Sequence, residues 1–126
     1  LNKFLKIKSV HYLGNVTDIK KLWKKSNIAI LLSKREGLPL SLLEAAAIGR
    51  PIVATDVPGC REIALNNYNA ITVQPGDIKA TSRAIIRLCK DRKLRKVLAN
   101  NGRKIVEGDM KIESICKQYY NLYKMG

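Results

Sequence analysis

Ile28-Ala29-Ile30-Leu31-Leu32-Ser33-Lys34-Arg35-Glu36-Gly37-Leu38-Pro39-Leu40-Ser41-Leu42-Leu43-Glu44-Ala45-Ala46-Ala47-Ile48-Gly49 decides the architecture of this chain. The run Ile28 to Leu32 is continuously apolar and too short for a core helix, so it reads as a strand covered on both faces. A polar loop containing Gly37 follows. The Leu- and Ala-rich stretch Leu40 to Ile48 then starts after Pro39 and stops at Gly49, the asymmetry expected at the two ends of a helix. Strand, loop and helix in this order are one step of an α/β fold.

The same pattern extends outward on both sides. Ser9 to Leu13, Pro51 to Thr55 and Ala70 to Val73 also read as strands, which gives four in all. Thr17 or Asp18 caps a short helix with Ile19, Leu22 and Trp23 on one face and Lys20, Lys21, Lys24 and Lys25 around it. The last third is helical by pattern. Asp77 caps a segment with Ile78, Thr81, Ile85, Leu88 and Cys89 at helical spacing. A second segment carries Leu94, Val97, Leu98 and Ile105, and a third carries Ile112, Ile115, Cys116, Tyr119, Leu122 and Tyr123. Strands alternating with helices imply a parallel sheet, and ligands of such sheets bind outside the carboxyl ends of the strands.

The composition narrows the class. The chain has 126 residues and 46% hydrophobic content, enough for one folded domain, here taken as 1–126. No apolar run approaches the roughly 20 residues of a membrane-spanning helix, and no signal segment opens the chain. Cys60, Cys89 and Cys116 are odd in number and widely spaced, which argues against a disulfide framework or zinc knuckle and fits a reducing cytosol. Lys+Arg total 24 against Asp+Glu 10, a net charge of +14. Such a balance invites nucleic acid, an anionic membrane or a phosphorylated ligand. It also fits a codon bias, because Lys, Ile and Asn, all abundant here, share A/T-rich codons. The densest basic run, Lys90 to Lys96, reads as the solvated face of a helix pair or as a membrane-facing patch.

The chemistry concentrates in Ser33 to Glu44. First-turn amides and the helix dipole after Pro39 form an anion site suited to phosphate, and Gly37 allows close approach of the backbone. Glu36 stands in the loop at the carboxyl end of the strand. Glu44 stands among Leu and Ala and needs a partner there, ligand hydroxyls being one. The same acids also fit a helix-capping residue and a solvated helix residue, and spacing alone leaves the two readings open.

The segment resembles the E-x7-E motif of retaining, glycogen-synthase-like GT-B glycosyltransferases of family 4, with Glu36 and Glu44 as the two acids. The resemblance covers nearly the whole chain. Val10-His11-Tyr12-Leu13-Gly14 is similar to that family's strand ending in Leu-Gly, and Leu32-Ser33 to its Pro-Ser. Glu44-Ala45-Ala46-Ala47-Ile48-Gly49-Arg50-Pro51-Ile52-Val53-Ala54-Thr55 is similar to its E-A-x-A-x-G-x-P-V-V-A stretch. Asp56-Val57-Pro58-Gly59-Cys60-Arg61-Glu62-Ile63 resembles the branch that assembles bacterial surface polysaccharides.

The resemblance implies a partial Rossmann-like sheet, that of the GT-B C-terminal domain, with about four strands, flanking helices and a helical C-terminal third. It places Glu36 at the donor sugar as the catalytic acid of the motif. Ser33, Gly37, Leu38 and Leu40 would bind the sugar and diphosphate, and Glu44 the ribose hydroxyls. The donor would be a nucleotide sugar, a UDP-sugar by expectation, with no metal and no cofactor. The acceptor would be a glycan or lipid-linked sugar. An anionic membrane surface and self-association through a bare sheet edge are further expected partners, with nucleic acid ranked last and a cytoplasmic site, against the inner face of the plasma membrane, as location. Pro39 departs from the glycine common in relatives and offers no N–H to a phosphate. Asn69-Ala70 departs from their Asn-Gly.

By the same resemblance the acceptor domain and the first two strands of the donor domain are not in this sequence, which opens on Leu1 rather than Met. A shortened chain and a non-catalytic remnant both fit. Alone it is expected to transfer no sugar and to bind nucleotide sugar weakly or not at all. The family's strand order would leave a gap of two strands between Ser9–Leu13 and Ile28–Leu32. Either the first relocates beside the second, or another chain fills the gap.

Overall fold

Three of the four apolar runs form a ladder. In the computed structural model, which describes residues 7–108, β1 (Ala29–Leu31), β2 (Ile52–Thr55) and β3 (Ala70–Val73) make a parallel sheet in the order β1-β2-β3. Ala29 stands beside Ile52, and Ile52 beside Ala70. β2 is central and all four of its side chains are buried, as a strand covered on both faces requires.

The pleat divides the core in two. Ile52 and Ala54 face one side, where α2 (Leu40–Ala47) packs Leu42, Ala45 and Ala46 against them, the short α3 (Pro58–Arg61) adds Cys60, and the turn after it adds Ile63. Val53 faces the other, where α4 (Ile78–Lys90) and α5 (Arg92–Glu107) bring Ala84, Leu88 and Leu98 to meet Val73. Each such large side chain contributes about 1.5–3 kcal/mol on leaving water. Helix α5 touches both cores, with Leu94 and Leu98 in the second and Val106 in the first. It lies against α2 at Gly102, where Ala46 would sit 3.5 Å from any added Cβ. The first helix, α1 (Ile19–Lys25), contributes half-buried Trp23.

Local signals set the helix ends as expected. Asp18 caps α1 by accepting from the Lys21 amide, and Asp77 caps α4 by accepting from Ala80. Asp91 ends α4 and caps α5 at once. After α2, the Gly49 amide donates to Ala46 and the Arg50 amide to Ala45, the Schellman pattern. Gly49 takes φ +71°, which favours glycine there.

Three arginines then close three helix C-termini. Arg50 donates to the carbonyls of Trp23 and Lys24 at the end of α1, at 2.8 and 3.0 Å. Arg95 donates to Leu88 and Cys89 at the end of α4, at 2.5 and 2.8 Å. Arg103 donates to Ile48, the C-cap of α2, at 3.1 Å. Cations suit these carbonyl-rich, partially negative ends.

Three expectations change. The expected strand Ser9–Leu13 is irregular, so the sheet has three strands among the described residues rather than about four. Tyr12 and Leu13 are 68% and 56% exposed. An apolar run needs a neighbouring strand to take its backbone hydrogen bonds, and none stands beside it among the described residues. Relocation beside β1 is therefore ruled out. Among the described residues β1 pairs with β2 alone, and Ile30 beside that edge is half-exposed. Of the expected α4 face, Leu88 is buried, whereas Ile78 is 82% exposed and Cys89 is exposed, and Ala84 is buried beside Leu88. The expected last helix, Ile112 to Tyr123, lies outside the described residues.

Candidate functional site

The site is built at the carboxyl ends of the strands. β1 runs out at Leu31, and two residues later the Ser33 carbonyl accepts a 2.5 Å hydrogen bond from the Thr55 hydroxyl. Thr55 ends β2 and is fully buried, so this bond fixes the start of the Ser33–Pro39 loop against the centre of the sheet. From below, α3 presses on the same loop. A Cβ on Gly59 would fall inside contact distance of the Glu36 and Gly37 carbonyl oxygens. Only a glycine lets α3 approach that closely, although its φ is ordinary.

The loop leaves its chemistry uncovered. Nothing lies within 4 Å of where a Gly37 Cβ would be, and Leu38 and Leu40 are exposed. Pro39 is buried and serves as N-cap of α2. It supplies the first helical acceptor to Leu42 and Leu43, and no side chain caps the helix. The amides of Leu40 and Ser41 open α2 without intrahelical partners. Proline at the N-cap thus removes an N–H from the loop and none from the helix's first turn.

The two acids differ. Glu36 is half-buried, and no hydrogen bond or ion pair holds its carboxylate among the described residues. It lies close enough to Cys60 to add to the burial that pushes that thiol up, with the Thr55 hydroxyl partly offsetting both. Glu44, one turn into α2, accepts from the Trp23 indole N–H at 3.2 Å through Oε2. A half-buried Trp needs a partner for its N–H, and a carboxylate among alanines needs a donor. The sequence pattern places Trp23 on one face of a short helix and by itself gives no sign of this bond. The pairing joins residues 21 apart in the chain, and their unmet polar groups were the one available signal. The rest of the Trp23 mooring is Arg50, which holds the Trp23 carbonyl.

The rim is completed by Asp56, just past β2. Arg61 donates to it at 2.6 Å and Gln74 at 3.2 Å. The Arg61 hydrogen bond holds the Asp56 carboxyl below its ordinary range, against a smaller opposing effect of desolvation. Buried Asn69 fixes the approach to β3 by accepting from the Leu65 amide and donating to the Ile63 carbonyl, both at 2.8 Å. Ser33, Glu36, Gly37, Leu38 and Leu40 thus share one loop and helix start, while Glu44 lies further along α2 toward α1. Among the described residues no group of three or more His, Cys, Asp or Glu gathers as a metal site, and no helix is long and apolar enough to cross a membrane.

The family profile for glycosyl transferases group 1 matches residues 2–105. The chain belongs to that family. A Campylobacter jejuni N,N'-diacetylbacillosaminyl-diphospho-undecaprenol alpha-1,3-N-acetylgalactosaminyltransferase is 38% identical over 122 residues, 96% of this chain and 32% of its own length. The capsular polysaccharide biosynthesis glycosyltransferase CapM of Staphylococcus aureus is 29% identical over 115 residues, 91% of this chain and 30% of its own. A crystal structure of an S. aureus TarM mutant in complex with Fondaparinux, alpha-GlcNAc-glycerol and UDP superposes with a TM-score of 0.87 at 25% identity. It covers 97% of this group 1 chain and 25% of the TarM chain. The parallel sheet is therefore of the GT-B type, and the likeness to surface-polysaccharide enzymes read from Asp56–Ile63 holds. The group 1 chain spans about a third of the length of the curated relatives it matches.

Proposed function

We propose that this chain is the donor-binding part of a glycosyltransferase that moves a hexosyl group from a nucleotide sugar, a UDP-sugar, to an acceptor hydroxyl. The observation that carries the reading is the β1–α2 junction. There Glu36, whose carboxylate has no partner among the described residues, stands beside an uncapped helix start, while a second carboxylate, Glu44, is aimed by Trp23. Glu36 acts at the donor sugar. Ser33 and the backbone at Gly37, Leu38 and Leu40 hold sugar and diphosphate, whose charge is met by amides and the dipole of α2. Glu44 uses the oxygen that Trp23 leaves free to accept from the ribose hydroxyls. Stabilising the leaving diphosphate is the protein's main contribution to the chemistry. The reading includes no metal and no cofactor.

The acceptor is a glycan or lipid-linked sugar, in keeping with the names of the relatives, and the place of action is the cytoplasmic face of the plasma membrane. The bare edge of β1 pairs with a further strand, either of the complete enzyme or of a second copy. Chemistry needs both halves of a GT-B enzyme, so this chain alone transfers no sugar.

Saturation-transfer NMR with UDP and UDP-sugars tests the reading, because it detects weak binding. Wild type shows saturable contact, and Glu44→Gln binds about tenfold more weakly, since a charged hydrogen bond contributes about 1.5–3 kcal/mol. The unfolding midpoint of Glu44→Gln stays unchanged, because the new amide oxygen still accepts from Trp23. Absence of any saturable UDP contact in wild type overturns donor binding by this chain on its own, and equal binding by Glu44→Gln overturns the role given to Glu44.

A further inference from the structure

We propose that a groove at the opposite pole of the sheet, at the amino ends of β1 and β2, binds a phosphate group. The groove has a volume of about 180 Å³ and is lined by Asn27, Arg50, Pro51, Arg92, Arg95 and Lys96. Its α5 wall is one stripe, because Arg92, Arg95, Lys96 and Ala99 follow one another at spacings that share a helix face. Among the described residues four cations line it and no carboxylate does.

Two of these cations are fixed in place. Arg50 gives Nε and Nη2 to the end of α1, and Arg95 gives Nη1 to the end of α4. Each keeps N–H groups that no hydrogen bond among the described residues uses, and the held guanidinium planes lower the ordering cost of meeting an oxyanion. Arg92 and Lys96 are exposed and donate no hydrogen bond among the described residues. The nearest acid in sequence, Asp91, spends its carboxylate on the Leu94 amide. The one ion pair among the described residues, Arg61–Asp56, lies at the other pole. Like charges crowded in this way repel, and a bound anion with several acceptor oxygens is what relieves them. Helix ends alone do not explain the pattern, because carbonyl capping occupies Arg50 and Arg95 and leaves Arg92 and Lys96 uncompensated.

A phosphate here comes either as a free anion or as the headgroup of an anionic lipid, and two arms separate the sources. In one, inorganic phosphate is titrated against the full chain and followed by amide shifts. In the other, the chain is sedimented with phosphatidylglycerol or phosphatidylcholine vesicles. Each is repeated with Arg92→Ala/Lys96→Ala and with the equally charged control Lys20→Ala/Lys21→Ala. Binding in either arm that the groove variant weakens by about 30-fold at low salt, at roughly a tenfold change or less for the control, supports the site. Phosphate shifts centred on the groove assign a free anion. Selective binding to phosphatidylglycerol vesicles without phosphate shifts assigns a headgroup. No binding in either arm, or an equal loss in groove variant and control, overturns the proposal, the second because it would reduce the effect to net charge. The two exposed side chains hold no structural bond, so matching unfolding midpoints check that the variants fold. UDP binding at the opposite pole is unaffected in either case.

Discussion

The two rims of the sheet are finished in opposite ways. At the amino ends of the strands, the C-termini of α1, α2 and α4 are each closed by an arginine from a later part of the chain. At the carboxyl ends, α2 begins with no side-chain cap, Gly37 faces open space and Glu36 has no partner among the described residues. Closing one rim stabilises the domain, and leaving the other open keeps amides and carboxylates available to a ligand. Helix dipoles explain the sorting, since cations are favoured at C-termini and anions at N-termini. The rims also share a link. Arg50 holds the Trp23 backbone on one side while the Trp23 ring holds Glu44 on the other, so a closed rim helps to aim an open one.

Three substitutions would break or sharpen this contrast. The largest effect is expected at Gly59. A methyl group there must push the Glu36–Gly37 backbone aside, so Gly59→Ala should lose about 2–3 kcal/mol in urea unfolding. It should also disturb the amide signals of the Ser33–Pro39 loop. If it unfolds like wild type, the carboxyl rim is looser than the packing implies. Next comes Arg50→Ala, which frees two carbonyls of α1 and should cost about 1 kcal/mol. It should weaken UDP binding as well, through Trp23 and Glu44. An unchanged unfolding midpoint would mean that the arginine closures are incidental.

The smallest effect is expected at Arg61, on an exposed pair. Because Arg61 lowers the folded-state pKa of Asp56, the pair contributes stability above the unfolded aspartate value. That contribution is lost as pH falls through the folded value. Arg61→Ala should therefore melt slightly lower than wild type at neutral pH, with the two curves converging in strong acid. A difference that widened as pH fell would reverse the assigned sign.

Much of the middle of the chain was legible because its signals are local. Ile28–Leu32, Pro51–Thr55 and Ala70–Val73 declared themselves by continuous apolar character. Asp18, Asp77 and the Pro39 to Gly49 interval declared helix ends through caps a few residues away. The loop holding Glu36 followed from those boundaries. Ser9–Leu13 misled because its pattern matches that of a strand, while strand formation depends on a neighbour. Ile78 misled because helical spacing does not say which turn reaches the core.

The sequence alone determined the order of elements, the place of the strand–loop–helix junction and the uncompensated charge, all of which depend on near neighbours and on composition. Tertiary structure alone decided that three strands pair, that Glu44 meets Trp23, and that Gly59 must be small to lie under Glu36. It also decided that Arg50 and Arg103 close helix ends across 26 to 55 residues of chain. Those contacts arise from how two cores pack onto opposite faces of β2. No short-range pattern encodes them, because the partners become neighbours only after the chain has folded.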